Sequence, residues 1–216
     1  MEGFSVIQEI MTYFQNSMNQ YIGLLMTHLL ISFKALFWAT IIGLPLGYLS
    51  FRVKILAELF QTGSQLLRII PSLAVLFILI PLVGVGEFPA LIALTFLAIP
   101  AILINTALGF HEVPVITKEV ARGIGMNQKQ LFRRIEVPLA MPYILNGLKL
   151  ALVEILASAT LATYIGAGGL GTLIFTGLGL YRMDLLLIGG GTVTLLSLIS
   201  IALFDFIIRK VQKNHV

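Results

Sequence analysis

Glu119-Val120-Ala121-Arg122-Gly123-Ile124-Gly125, followed by Ile135-Glu136-Val137-Pro138, decides how this chain is read. The stretch is polar, basic and glycine-containing, and it stands between long apolar segments. Of the 216 residues, 58% are hydrophobic and 11% charged, with a mean hydropathy of +0.99. Soluble domains carry about 25% charged residues. A chain this poor in charge cannot cover a water-facing surface, so composition predicts the bilayer as its solvent. A loop of this kind, held at one face of a membrane, is then a surface to show to a soluble partner.

Outward from that loop, five apolar segments are predicted as spans: Gly23–Phe51, Ile69–Val85, Phe88–Phe110, Met141–Ile165 and Leu185–Ile208. A spanning helix needs about 20 mainly apolar residues. The second segment is short and holds Pro71 and Pro81, so its start is expected to lie earlier, near Glu58. The first holds His28 and Lys34. The polar run Gln15-Asn16-Ser17-Met18-Asn19-Gln20 argues against a sixth span, and residues 1–22 read as an external extension or interfacial helix. Glu2 and Glu9 precede any basic residue, so a cleavable signal peptide is not expected. No repeat or low-complexity linker appears, and residues 1–216 read as a single all-α, polytopic membrane domain.

The basic residues orient it. Arg52, Lys54 and Arg68 follow the first segment, Lys118, Arg122, Lys129, Arg133 and Arg134 follow the third, and Arg209, Lys210 and Lys213 follow the fifth. In a five-span chain these lie on one side, against Arg182 alone on the other. Positive-inside bias predicts the N-terminus outside and the C-terminus inside.

Residues 111–138 are too long for a simple turn. Pro114 is suited to open a first helix, Gly123 and Gly125 to break it, and Asn127 to cap a second, with Pro138 and Pro142 marking entry to the fourth span. Ala121 is small enough for close approach of a partner, and Gly125 can take backbone angles closed to other residues. Glu119 suits a basic partner group or a cap, and Arg122, Arg133 and Arg134 suit docking or lipid headgroups.

The pattern E-x-A-x3-G-x9-I-x-x-P over Glu119–Pro138 resembles the cytoplasmic coupling loop of ABC importer permeases. Three further runs extend the likeness from about Leu24 to Arg209: Pro45-Leu46-Gly47, Arg68-Ile69-Ile70-Pro71-Ser72-Leu73-Ala74, and Ala159-Thr160-Leu161-Ala162 before Ile165-Gly166-Ala167-Gly168-Gly169-Leu170-Gly171. Together they are similar to permeases for osmoprotectants (glycine betaine, carnitine, choline). Val120 and Val137 depart conservatively from the family's common alanine and leucine. The resemblance implies a multi-pass cell-membrane permease working by alternating access, with Glu119, Ala121, Arg122, Gly123, Gly125, Ile135 and Pro138 coupling it to ABC ATPase subunits. It also implies a second permease subunit, identical or paralogous, an extracellular or periplasmic substrate-binding protein, and ATP with Mg held by the ATPase rather than by this chain. A methionine-type importer and a passive channel are the rival readings.

Among remaining candidates, Gly166-x-Gly168-x-x-Gly171 matches a dinucleotide fingerprint, but that fingerprint needs a strand before it and a helix after. It reads here as a re-entry turn before a short helix through Leu173, Ile174 and Phe175, either lining an external gate or serving turn geometry alone. Glu154 is an ionisable group in mid-span, costing about 2.5–3.5 kcal/mol on insertion scales. It reads as a pore group or a helix–helix hydrogen bond, and Lys149 is not assured as its partner. Asn105, Ser158 and Thr160 pose the same choice; Asn105 and Thr160, with Gly166, Gly168, Gly169 and Gly171, join Glu154 as possible pore or gate residues. His28, His111 and His215 lack metal-site spacing, no cysteine is present, and neither a catalytic triad motif nor a Walker A motif occurs. No catalytic residue, metal or nucleic-acid partner is expected; the net charge of +4 is not by itself a nucleic-acid signal.

Overall fold

A computed structural model of the chain describes residues 2–213, and the side chains of all of these except 2–5, 61 and 68. The fold is helical throughout. Four helices are long and apolar enough to cross a bilayer, and a bent pair makes a fifth crossing if taken as one span.

The first helix, α1, runs Glu2–Arg52 with one non-helical residue, Ser17, at a kink. That kink falls inside the polar run Gln15–Gln20, where two helices meet. Residues 1–22, expected as an external extension or interfacial helix, are helical from Glu2 and lead through the kink into the first spanning helix. Their burial comes from Tyr13, which packs with Leu170, Leu173, Leu185 and Ile188. Gln, Asn and Met are tolerable helix formers, and tertiary packing outweighs polarity here.

The second apolar segment departs from expectation. α2 (Lys54–Ile69) and α3 (Ser72–Val83) meet at a 95° bend. Proline at 71 drives the preceding residue out of the helical region, and Ile70 is extended at ψ 123°. Twelve residues of α3 rise about 18 Å, short of a hydrocarbon core about 30 Å thick. Neither half spans alone.

α4 (Glu87–His111) and α7 (Val137–Leu161) are the centre, with α1 packed on both. Their contact faces are lined with small residues. A side-chain carbon at Gly43 would meet Ile102, one at Gly47 would meet Thr106, one at Gly109 would meet Tyr143, and one at Gly147 would meet Asn105. Membrane helices lack a strong hydrophobic drive to associate, so close backbone approach and dispersion carry the packing. Between α4 and α7 lie α5 (Val115–Gly123), the one-turn α6 (Gln128–Leu131) and a π-turn, Phe132–Glu136. A 3₁₀ turn, Ala162–Ile165, ends α7; α8 (Gly171–Gly179) and the spanning α9 (Met183–Lys213) follow.

Candidate functional site

The residues 111–138 fold as two helices and a turn. Pro114 precedes α5, and Gly125 stands at φ +85° just beyond it. Met126 N donates to Ala121 O at 3.1 Å and Gly125 N to Arg122 O at 3.0 Å, closing the helix end. Asn127 then caps α6 in a reciprocal capping box with Gln130, both bonds at 2.9 Å. The local reading of Pro114, the glycines and Asn127 matches this geometry.

The outward surface differs from expectation. Ala121 is 3% exposed and faces its own chain, so its small size serves internal packing. Glu119, Arg122, Gly123 and Gly125 are exposed. So are Ile116, Val120 and Ile124, spaced one turn apart along α5 and its end, with Val115 beside them. An amphipathic stripe normally faces a core; here it is the presented face. Its one-turn spacing is readable in the sequence. Asn127, Lys129, Gln130, Arg133 and Arg134 line a recess of about 280 Å³ beside it.

The segment is tied mechanically to the spans. Phe132 stacks on Phe110 at 6.0 Å and meets the Tyr48 ring at 5.1 Å, and Phe51 stacks on Phe110 at 5.6 Å. Ile135 is half-buried and Glu136 is buried below it. The π-turn has a local cause. Pro138 has no N–H to offer the Arg134 carbonyl and its ring crowds that group; the chain takes one extra residue, with Val137 N bonding Phe132 O. Beyond it α7 continues without a break, so Gln128–Ile165 forms one 38-residue rod.

That rod carries Glu154 to the side of a cleft of about 480 Å³ lined by Ile70, Pro71, Ser72, Leu97, Pro100 and Leu150 among others. The cleft lies at the α2–α3 bend. Glu154 is exposed there, accepting from Ser158 Oγ at 3.3 Å. Lys149 does not pair with it; its Nζ donates to Asp205 Oδ1 of α9 at 2.7 Å. Asn105 accepts from Asn146 at 2.9 Å, joining α4 to α7, and Thr160 donates to Ala157 O at 2.7 Å within its helix.

At the opposite end Gly166, Gly168 and Gly169 all have positive φ and form a tight turn. Thr163 Oγ1 donates to Gly168 O at 2.8 Å, and Gly86 N to Ile165 O at 2.6 Å. A side-chain carbon at Gly171 would collide with the Thr160 carbonyl. The short helix expected through Leu173–Phe175 is α8. Arg182, before α9, donates through Nε to buried Asp184 at 3.2 Å, and that bond holds its guanidinium still more firmly protonated. Among the described residues no group of His, Asp or Glu is placed to hold a metal; His215 lies outside them.

The pattern of the family described as "Binding-protein-dependent transport system inner membrane component" matches residues 39–213. The chain is 41% identical to the carnitine transport permease protein OpuCB of Listeria monocytogenes, over 88% of this chain and 87% of that one. It is 36% identical to the glycine betaine/carnitine/choline transport system permease protein OpuCB of Bacillus subtilis, over 96% and 94%. Among solved structures, an inward-facing form of the MetNI methionine ABC transporter superposes with a TM-score of 0.72 at 27% identity, covering 90% of this chain and 97% of that one.

Proposed function

The chain belongs to the family of binding-protein-dependent transport system inner membrane components, and on that premise we propose that it carries glycine betaine, carnitine or choline through the membrane half of an ATP-driven importer. It is a multi-pass membrane permease of the ABC importer type, and its relatives are permeases for osmoprotectants. One observation carries the mechanism. From α6 the chain runs without a break into the rod that flanks the Glu154 cleft, and exposed α5 is joined to it by the short Ile124–Asn127 turn. A push on Glu119, Arg122 and the apolar stripe of α5 is thereby delivered to the wall of the cleft.

The N-terminus lies outside and the C-terminus inside, with residues 111–138 as the cytoplasmic coupling region. Glu119, Ala121, Arg122, Gly123, Gly125, Ile135 and Pro138 shape or present that region. ATP and Mg sit in the partner ATPases, a second permease subunit completes the pathway, and an external binding protein selects and delivers the solute. Glu154, Asn105 and Thr160 lie along the path, and the Gly166–Gly171 turn lies by its outer gate. ATP binding moves the equilibrium only if the ATPases bind one permease state more tightly.

The test is uptake by the complete complex in proteoliposomes, with labelled glycine betaine, carnitine, choline and methionine compared. ATP-dependent accumulation of one or more of the first three is expected. Accumulation of methionine alone would replace the solute assignment, and uptake that ignores ATP would leave a channel.

A further inference from the structure

Glu136 is the one buried carboxylate at the basic end of the described chain, and the coupling motif assigns it no role. Its side chain is 6% exposed, and its Oε2 receives no hydrogen bond. The cation facing it is Arg52, whose Nη2 stands 3.7 Å from that oxygen, beyond hydrogen-bond reach. Arg52 is held off by other partners. Its Nε donates to the Tyr48 hydroxyl at 2.7 Å, and its guanidinium carbon lies 5.2 Å and 5.7 Å from the ring centres of Tyr48 and Phe51. A carboxylate oxygen buried without a hydrogen bond is costly, so a state that closes the pair is favoured by it.

Both residues sit at breaks in regular α-helix. Arg52 ends α1, and Val53 behind it is extended at φ −123°. Glu136 ends the π-turn between the coupling segment and α7. Such turns are inserted irregularities that occur at working positions in helices. A shift of about 1 Å would bring the charges to normal hydrogen-bond distance. We propose that Glu136 and Arg52 form a latch, open in this conformation, that closes when the coupling segment is pushed and so carries its motion to the first spanning helix. The latch rests on the importer reading above. Both are positioning residues: neither meets solute or nucleotide, and each acts through the helix it ends.

The chain has no cysteine of its own, which makes a distance test clean. Arg52→Cys with Glu136→Cys, in a complete complex whose other subunits are also cysteine-free, is treated with a short bifunctional thiol reagent. Bridging should be at least roughly five-fold faster with the ATPases trapped in the ATP-bound state than without nucleotide, the lower bound of usual allosteric coupling. Equal rates would overturn the latch. The second arm measures solute moved per ATP, using a mixture of labelled glycine betaine, carnitine and choline. Glu136→Gln and Arg52→Gln should each lower that ratio about ten-fold, with the half-saturating solute concentration unchanged, and the double variant should be no worse than either single one. Additive losses, or single variants with the wild-type ratio, would overturn the pairing. A wild-type complex without ATP-dependent uptake would overturn the importer reading and the latch together.

Discussion

Two glycines separate two demands that a sequence records identically. Gly125 stands at φ +85° with open space around its α-carbon, so a side chain there meets only backbone strain. Gly147 is in an ordinary helix, but a side-chain carbon would come within 2.8 Å of Asn105 Cβ and 3.0 Å of the Ala101 carbonyl. Gly125→Val should therefore strain the α5–α6 turn by about 1–2 kcal/mol while the spans insert normally, and ATP hydrolysis should lose its dependence on solute. Gly147→Leu should instead part α4 from α7 and break the Asn105–Asn146 bond, costing about 1–3 kcal/mol and lowering the melting temperature of the detergent-solubilised protein. Equal melting temperatures for wild type and Gly147→Leu would contradict the packing, and normal solute stimulation in Gly125→Val would contradict the turn. The strained glycine was legible because it closes a polar, helix-forming segment. The packed one was not, since its partner lies on another helix.

Local chemistry was the legible part at the scale of elements. The Asn127 cap, the proline entry to α5 and the glycine turn before α8 each depend on residues within one turn of each other. The bend of the second span is only half visible: Pro71 marks the place, but whether a bilayer segment breaks at a proline depends on neighbours able to satisfy the freed backbone. The aromatic cluster of Tyr48, Phe51, Phe110 and Phe132 and the Lys149–Asp205 pair left no periodic trace, because their members come from different helices. Even the π-turn becomes explicable only when Pro138 is seen inside a continuous rod. Pro138→Ala restores an N–H for the Arg134 carbonyl, and loss of the extra residue would turn α6 relative to α7 by about 100°. That rotation pulls Phe132 from its ring stack. Solute moved per ATP should fall several-fold, with ATPase retention on the purified permease little changed. A variant that couples like the wild type would show that the π-turn is incidental.

For the whole molecule the decisive quantity is charge against geometry. Arg52, Lys118, Arg122, Lys129, Arg133, Arg134, Arg209 and Lys210 come from separate parts of the chain, yet helix order places them at one end of the bundle. The kinked front of α1, α8 and Arg182 lie at the other, with the polar residues Gln8, Thr12, Asn16 and Gln20 lining a cavity of about 670 Å³ there. The bent α2–α3 pair bears directly on orientation. If it crosses as one span, the termini lie on opposite sides; if it re-enters on the side it left, they lie together. The positive-inside rule separates the two, because only the first arrangement keeps Arg52 and Lys54 on the face that holds the 111–138 region and the C-terminal basic residues. Since the chain has no cysteine, Asn19→Cys and Lys210→Cys each supply a single thiol. In intact cells a membrane-impermeant maleimide should label Asn19→Cys fully and Lys210→Cys only after the membrane is opened. Labelling of both from outside would make the α2–α3 pair re-entrant, and would remove the coupling surface from the face on which the ATPases must stand.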